Sequence, residues 1–125
     1  MRPAFAFVIL ICGFALLPGR AGMAQDACVE PQEPAPVDGA QVSEDQMRAA
    51  AAAARSFMAQ SDVYQACLVS AVDAARTQAT ADGKSLDPGV ESAAKAKADA
   101  NQKLKEKVGV EINSAIGVYK KTHSK

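Results

Sequence analysis

Cys28 and Cys67 are the residues of this chain best placed for covalent chemistry, and that chemistry is oxidation to a disulfide. The third cysteine, Cys12, sits in an N-terminal segment built as a secretory signal. Arg2 supplies its positive start, Ala4 to Leu17 form an apolar run of 14 residues, and Pro18 to Ala24 end it with helix breakers and small residues. Cleavage after Ala24 is expected, so that the mature chain starts at Gln25 with an even pair of cysteines. The run is shorter than the roughly 20 residues a bilayer span needs, and no stable membrane insertion is expected once the signal is removed. Gln25-Asp26-Ala27 before Cys28 lacks the aliphatic residue of a lipoprotein signal. An exported chain meets an oxidising compartment, periplasmic or secreted, where Cys28–Cys67 is a structural bond. Their separation in sequence is unlike a C-x-x-C redox pair.

Other reactive patterns are weaker. Gly83-Lys84-Ser85 matches the end of a phosphate-binding loop, but position 78 is Gln where the first glycine is required and no strand precedes it. Ser61 has no histidine near it to act as a base. His123 stands alone, whereas a zinc site takes three or four ligands. No C-x-x-C-H haem attachment occurs, and Met47 with His123 would be a remote haem pair. These residues imply no cofactor, no metal and no catalytic set, so the expectation is a non-enzymatic protein. Lys95, Lys97, Lys103, Lys105 and Lys107 meet only Asp99 and Glu106 in the same stretch, a local net of +3. They are a candidate interaction face for anionic lipid, cell-wall polymer or an acidic partner, weighed against the plainer reading of a solvated helix face with an Asp99–Lys103 pair.

Charge sets a further limit. The whole chain has 14 basic and 14 acidic residues and a pI near 6.6. Loss of residues 1–24 removes Arg2 and Arg20 and no acid, leaving 12 against 14. A nucleic-acid binder normally has a basic face and a high pI, so none is expected as a partner.

The elements that position these residues follow from local chemistry. Residues 25–42 hold three prolines between Pro31 and Pro36, which favours an extended polyproline II arm and excludes a helix. Asp38-Gly39 marks a turn. Ser43 stands three residues before Gln46, a capping box that starts helix 1. Met47, Phe57, Tyr64 and Leu68, with Ala50, Ala54, Ala71 and Ala75 filling the same stripe, follow a helical repeat to about residue 80. Residues 81–87 supply turn chemistry. Asp87 as N-cap and Pro88 at the first turn open helix 2, which runs to about residue 122 with a stripe through Val90, Ala94, Ala98, Asn101, Leu104, Val108, Ile112, Ala115, Ile116 and Tyr119. Asn101 and Asn113, near that stripe, are read as setters of helix register.

Two helices of similar length joined by a short loop predict an all-α, antiparallel two-helix hairpin over residues 43–125, with a coiled-coil period. Folding about Lys84 sets residue i against about 168 − i, which places Tyr64 over Leu104, and Ile116 and Tyr119 over the alanines of 49–54. Helix 1 rises about 36 Å from Ser43 to Cys67, and the arm can span about 47 Å. With so little slack the arm is expected to run back along helix 1 as a strap pinned at Cys67.

The segments S-D-V-Y-Q-A-C-L (61–68), N-Q-K-L-K-E-K-V-G (101–109) and N-S-A-I-G-V-Y-K (113–120) resemble a group of short exported alphaproteobacterial proteins of unassigned function. The resemblance covers most of the mature chain, including Cys28 and the proline-rich arm. It implies an α-helical fold and an envelope location, and brings no activity, cofactor or site residues. Expected roles are a structural or protein-interaction component of the cell envelope, whose partner is another envelope protein or the protein itself. A periplasmic inhibitor or binding module for one partner is the alternative, and a holdase a more remote one. Val110 and Val118, off the main stripe, would suit self-association.

Overall fold

The computed structural model describes residues 27–124. The expected signal segment, 1–24, lies outside them. Two helices, α1 (Glu44–Ala81) and α2 (Pro88–His123), pack antiparallel as a hairpin, and no strand occurs among the described residues. Both starts form as the local chemistry requires. The Ser43 hydroxyl accepts from the Gln46 amide at 3.2 Å while Gln46 Oε1 accepts from the Ser43 amide at 2.8 Å, so two otherwise orphaned donors are satisfied. Asp87 Oδ1 accepts from the Gly89 amide at 2.8 Å, with Pro88 in the first turn. At the end of α1, Gly83 turns to φ 68°. Its amide donates to Thr80 O at 3.0 Å and that of Lys84 to Ala79 O at 2.8 Å, a Schellman pairing that stops the helix and begins the return.

Buried positions of α2 recur every seven residues, at Ala94, Asn101, Val108 and Ala115, and those of α1 alternate by three and four from Ala54 to Ala71. A period of about 3.5 keeps one stripe facing the partner helix over the whole length, as in a left-handed supercoil. Contacts between Arg76 and Glu91, Asp62 and Lys105, and Met58 and Gly109 fix the register one residue from the expected 168 − i.

The packing is divided in two. Near the loop, Tyr64, Leu68, Ala71 and Val72 gather with Ala94 and Cys28. Toward the termini, Ala54, Phe57 and Val108 gather with Met58, Leu104 and Ile112. Leu104 therefore packs with the Phe57 cluster rather than under Tyr64, whose ring belongs to the cluster that receives Cys28.

The arm is strapped to α1 as expected, and it reaches α2 as well. Cys28 is bonded to Cys67, with their Cα atoms 5.7 Å apart, and the chain between Cys28 and Ser43 runs along the side of α1 that borders α2. Pro34, Ala35, Pro36 and Val37 cover Ala50 and Ala54 of α1 together with Val108, Glu111 and Ile112 of α2. The alanines thus meet prolines of the arm. Gly39 passes so close to α2 that an added Cβ would lie 2.0 Å from the Ala115 carbonyl oxygen. The spare length of the arm is taken up by a turn in which Gln41 N–H donates to Asp38 O at 3.0 Å and Asp38 Oδ1 accepts from Ala40 N–H.

Candidate functional site

Three features hold polar or reactive groups in fixed geometry. The first is the disulfide, which anchors the arm at mid-hairpin, with Cys28 buried and Cys67 half-buried. Pro31 is buried just beyond it. Burial pushes the Tyr64 phenol above its ordinary 10.0, and the nearby Glu30 carboxylate of the arm adds to the shift.

The second is a polar layer between the two apolar clusters. Ser61 and Asn101 have no solvent exposure at all. Asn101 Nδ2 donates to Ser61 Oγ at 3.2 Å, and Asn101 Oδ1 accepts from Gln65 Nε2 at 2.9 Å. Gln65 Nε2 also reaches Gln102 Oε1 at 3.3 Å, carrying the network to the surface. No buried side-chain polar atom among the described residues lacks a partner, as a buried polar network requires. Ser61, sealed from solvent and engaged by Asn101, presents no oxygen to an approaching substrate in this conformation. Asn101 sits where its stripe position put it, whereas Asn113 is exposed and outside the seam. Gln65 had no distinguishing mark in the sequence. Its role follows only from lying beside Ser61 and opposite Asn101 once the register is known.

The third feature is the set of lysines. Successive residues turn about 100° around a helix, so Lys95, Lys97, Lys103, Lys105 and Lys107 are spread around α2 rather than along one face. Lys95 pairs with Asp99 at 2.5 Å, where an Asp99–Lys103 pair was expected. Lys105 crosses to Asp62 of α1, its side chain mostly covered. Lys107 Nζ bridges Glu33 of the arm at 2.5 Å and Glu111 at 3.1 Å. Those two hydrogen bonds raise the Lys107 pKa above its ordinary 10.5, against the opposing effect of burial. Lys97 is engaged as well, and Lys103 is exposed. At least two of the five therefore serve to hold the hairpin and the arm together.

Near the loop the hairpin contains an open groove of about 350 Å³. Leu68, Val72 and Ala94 form its floor, with Arg76, Glu91 and Lys95 at the rim. Val69 is exposed beside the groove, and Val63 and Val110 are exposed elsewhere on the helices, Val110 at 70%. His123 stacks on Tyr119 with ring centroids 4.2 Å apart, and its Nδ1 lies 3.0 Å from Tyr119 O. No cluster of metal-ligating side chains occurs among the described residues, and none of their helices is long and apolar enough to cross a membrane. Comparison with protein families, with curated proteins and with solved structures finds no match for the chain.

Proposed function

We propose that this is a non-enzymatic exported protein that acts through its helical surface as a structural or protein-interaction component of the cell envelope. The observation that carries the reading is the Cys28–Cys67 bond, which ties a proline-rich arm across two helices with little bulk of their own. Bonds of that kind form and persist in oxidising compartments such as the periplasm. The result is a stapled rod about 55 Å long, with exposed valines along its sides. Crosslinking in intact cells tests the proposal, combined with release of the protein by osmotic shock. Recovery of another envelope protein, or of crosslinked copies of this one, supports it. Retention in the cytoplasm with both thiols free would overturn it.

A second reading, a small periplasmic inhibitor or binding module, draws on the groove between Leu68, Val72 and Ala94, whose apolar floor and mixed-charge rim suit one defined partner. One partner in fixed stoichiometry favours it. A broad set of unfolded clients would point to a holdase instead.

A further inference from the structure

The arm is held by side chains and by its two covalent ends. Among the described residues, no main-chain hydrogen bond joins residues 28–37 to either helix, and the main-chain bond of the arm, Gln41 to Asp38, is local. What fixes the strand in the groove is the placement of the half-buried Pro34 and Val37 beside Ala50, Ala54, Val108 and Ile112, the burial of Pro31 and Gly39, and the pair between Glu33 and Lys107. The groove therefore holds an extended, proline-rich strand whose Glu33 carboxylate is matched by Lys107. Nothing in these contacts requires that strand to belong to the same chain. The link between strap and helix is the short turn at 38–42, and opening that turn turns the arm outward while leaving the helices intact.

We propose that the arm exchanges between two copies of this chain, so that residues 28–37 of each fill the groove of the other and Cys28 of each bonds to Cys67 of its partner. The inference rests on the reading of a protein that acts by association, and it names a second copy as the partner. The chemistry balances without an oxidant. A glutathione thiolate attacks the half-buried Cys67 Sγ, forming a mixed disulfide there and releasing Cys28 of the arm as a thiolate, and the same happens in the second copy. Each Cys28 thiolate then attacks Cys67 Sγ in the mixed disulfide of the other copy and expels glutathione. Two bonds within chains are replaced by two between chains, and the glutathione consumed is returned. The balance between the forms is set by protein concentration against the effective concentration of an arm tethered at Ser43.

The test mixes equal amounts of unlabelled and ¹⁵N-labelled protein at about 1 mM, the scale of effective concentration for a short tether, in a glutathione redox buffer. After quenching with iodoacetamide and separation by size, the linked tryptic peptides carrying Cys28 and Cys67 are weighed. Exchange gives a dimer in which about half of those linked pairs are isotopically mixed, as random assortment of two copies requires. A dimer linked Cys28–Cys28 or Cys67–Cys67, or only monomer with unmixed pairs, overturns the proposal. A variant lacking Ala40 and Gln41 cannot return the arm to its own groove as readily, and its half-dimer concentration is expected to fall about tenfold. An unchanged value in a folded variant also overturns it. Absence of mixing in a protein that still crosslinks to a different envelope protein removes arm exchange and leaves association itself standing.

Discussion

Asn101 of α2 donates its side-chain amide to the Ser61 hydroxyl of α1 at 3.2 Å in a site closed to solvent, and this pair sits between the two apolar clusters of the hairpin. A hydrophobic seam of alanine, leucine and valine tolerates sliding by a heptad, because one apolar residue replaces another. A single buried amide with one matching hydroxyl does not, since a slipped register leaves both unsatisfied.

Asn101→Ala is expected to destabilise the protein by about 1–3 kcal/mol, because Ser61 loses its donor and Gln65 its acceptor in a dry site. For a domain of this size that is a fall in Tm of the order of 5–15 °C. The double variant Asn101→Leu with Ser61→Ala should recover most of the loss, since an apolar pair replaces a satisfied polar one. It should also broaden the oligomeric distribution seen by light scattering. A double variant as unstable as Asn101→Ala would contradict this account.

Replacing Cys28 and Cys67 by serine removes a closure of 39 residues, and the chain-entropy estimate for a loop of that length is about 4 kcal/mol. The helices should persist by circular dichroism at low temperature while the arm, residues 28–42, becomes open to limited proteolysis. Intact mass should show two alkylated thiols only after reduction. Two thiols free in the native protein would remove the strap.

Two glycines should respond differently to alanine. At Gly39 the new Cβ would meet the Ala115 carbonyl, so Gly39→Ala lifts the arm and costs about 1–3 kcal/mol, the usual range for overpacking. At Gly83 the space is empty but φ is 68°, and Gly83→Ala should cost about 1 kcal/mol through backbone strain alone. Resistance of residues 28–37 to limited proteolysis should drop in the first variant and stay in the second. Equal loss of arm protection in both would separate Gly39 from the role given to it.

Stability should fall in alkali. Tyr64 and Lys107 both bind their protons more tightly in the folded state, Tyr64 through burial and Glu30, Lys107 through Glu33 and Glu111. A raised pKa contributes stability that is fully present below the unfolded value, about 10 for both groups. That contribution is lost as pH climbs through the raised folded values. Thermal melts should hence be level from neutral pH to about pH 9 and decline above it. Tyr64→Phe should flatten the decline, and an ultraviolet titration should show Tyr64 ionising above its ordinary value. An identical alkaline decline in Tyr64→Phe would assign the effect to other groups.

The ends of both helices were legible because they depend on neighbours in sequence. Ser43 with Gln46, Asp87 with Pro88, and Asp82-Gly83 each act within a few residues of themselves. Register was legible to one residue, since a hairpin with a tight loop has little freedom. The strap along α1 pinned at Cys67 was legible from the cysteines and the length of the arm, but its contact with α2 was not. A polyproline strand has no hydrogen-bond ladder and no side-chain period against its support, so nothing in residues 28–42 distinguishes one side of α1 from the groove beyond it. Gly39 appeared as half of a turn, and its contact with Ala115 depends on a helix far away in sequence. The lysines looked like a patch because they are close in sequence, while the helix turns them apart. Asn101 was visible from its place in the stripe. Its partner Ser61 appeared first as an isolated nucleophile, because one polar residue in a stripe carries no sign of what faces it.

The covalent ring closed by Cys28 and Cys67 contains the arm and the first two-thirds of α1, and it contains no part of α2. Tension applied at the C-terminus would therefore peel α2 away turn by turn toward the loop, parting Ala115 from Gly39 and then Lys107 from Glu33. Tension applied between Cys28 and Cys67 would meet a bond. Under load the molecule behaves as a hinged flap on a rigid clasp, soft at one terminus and inextensible near the other.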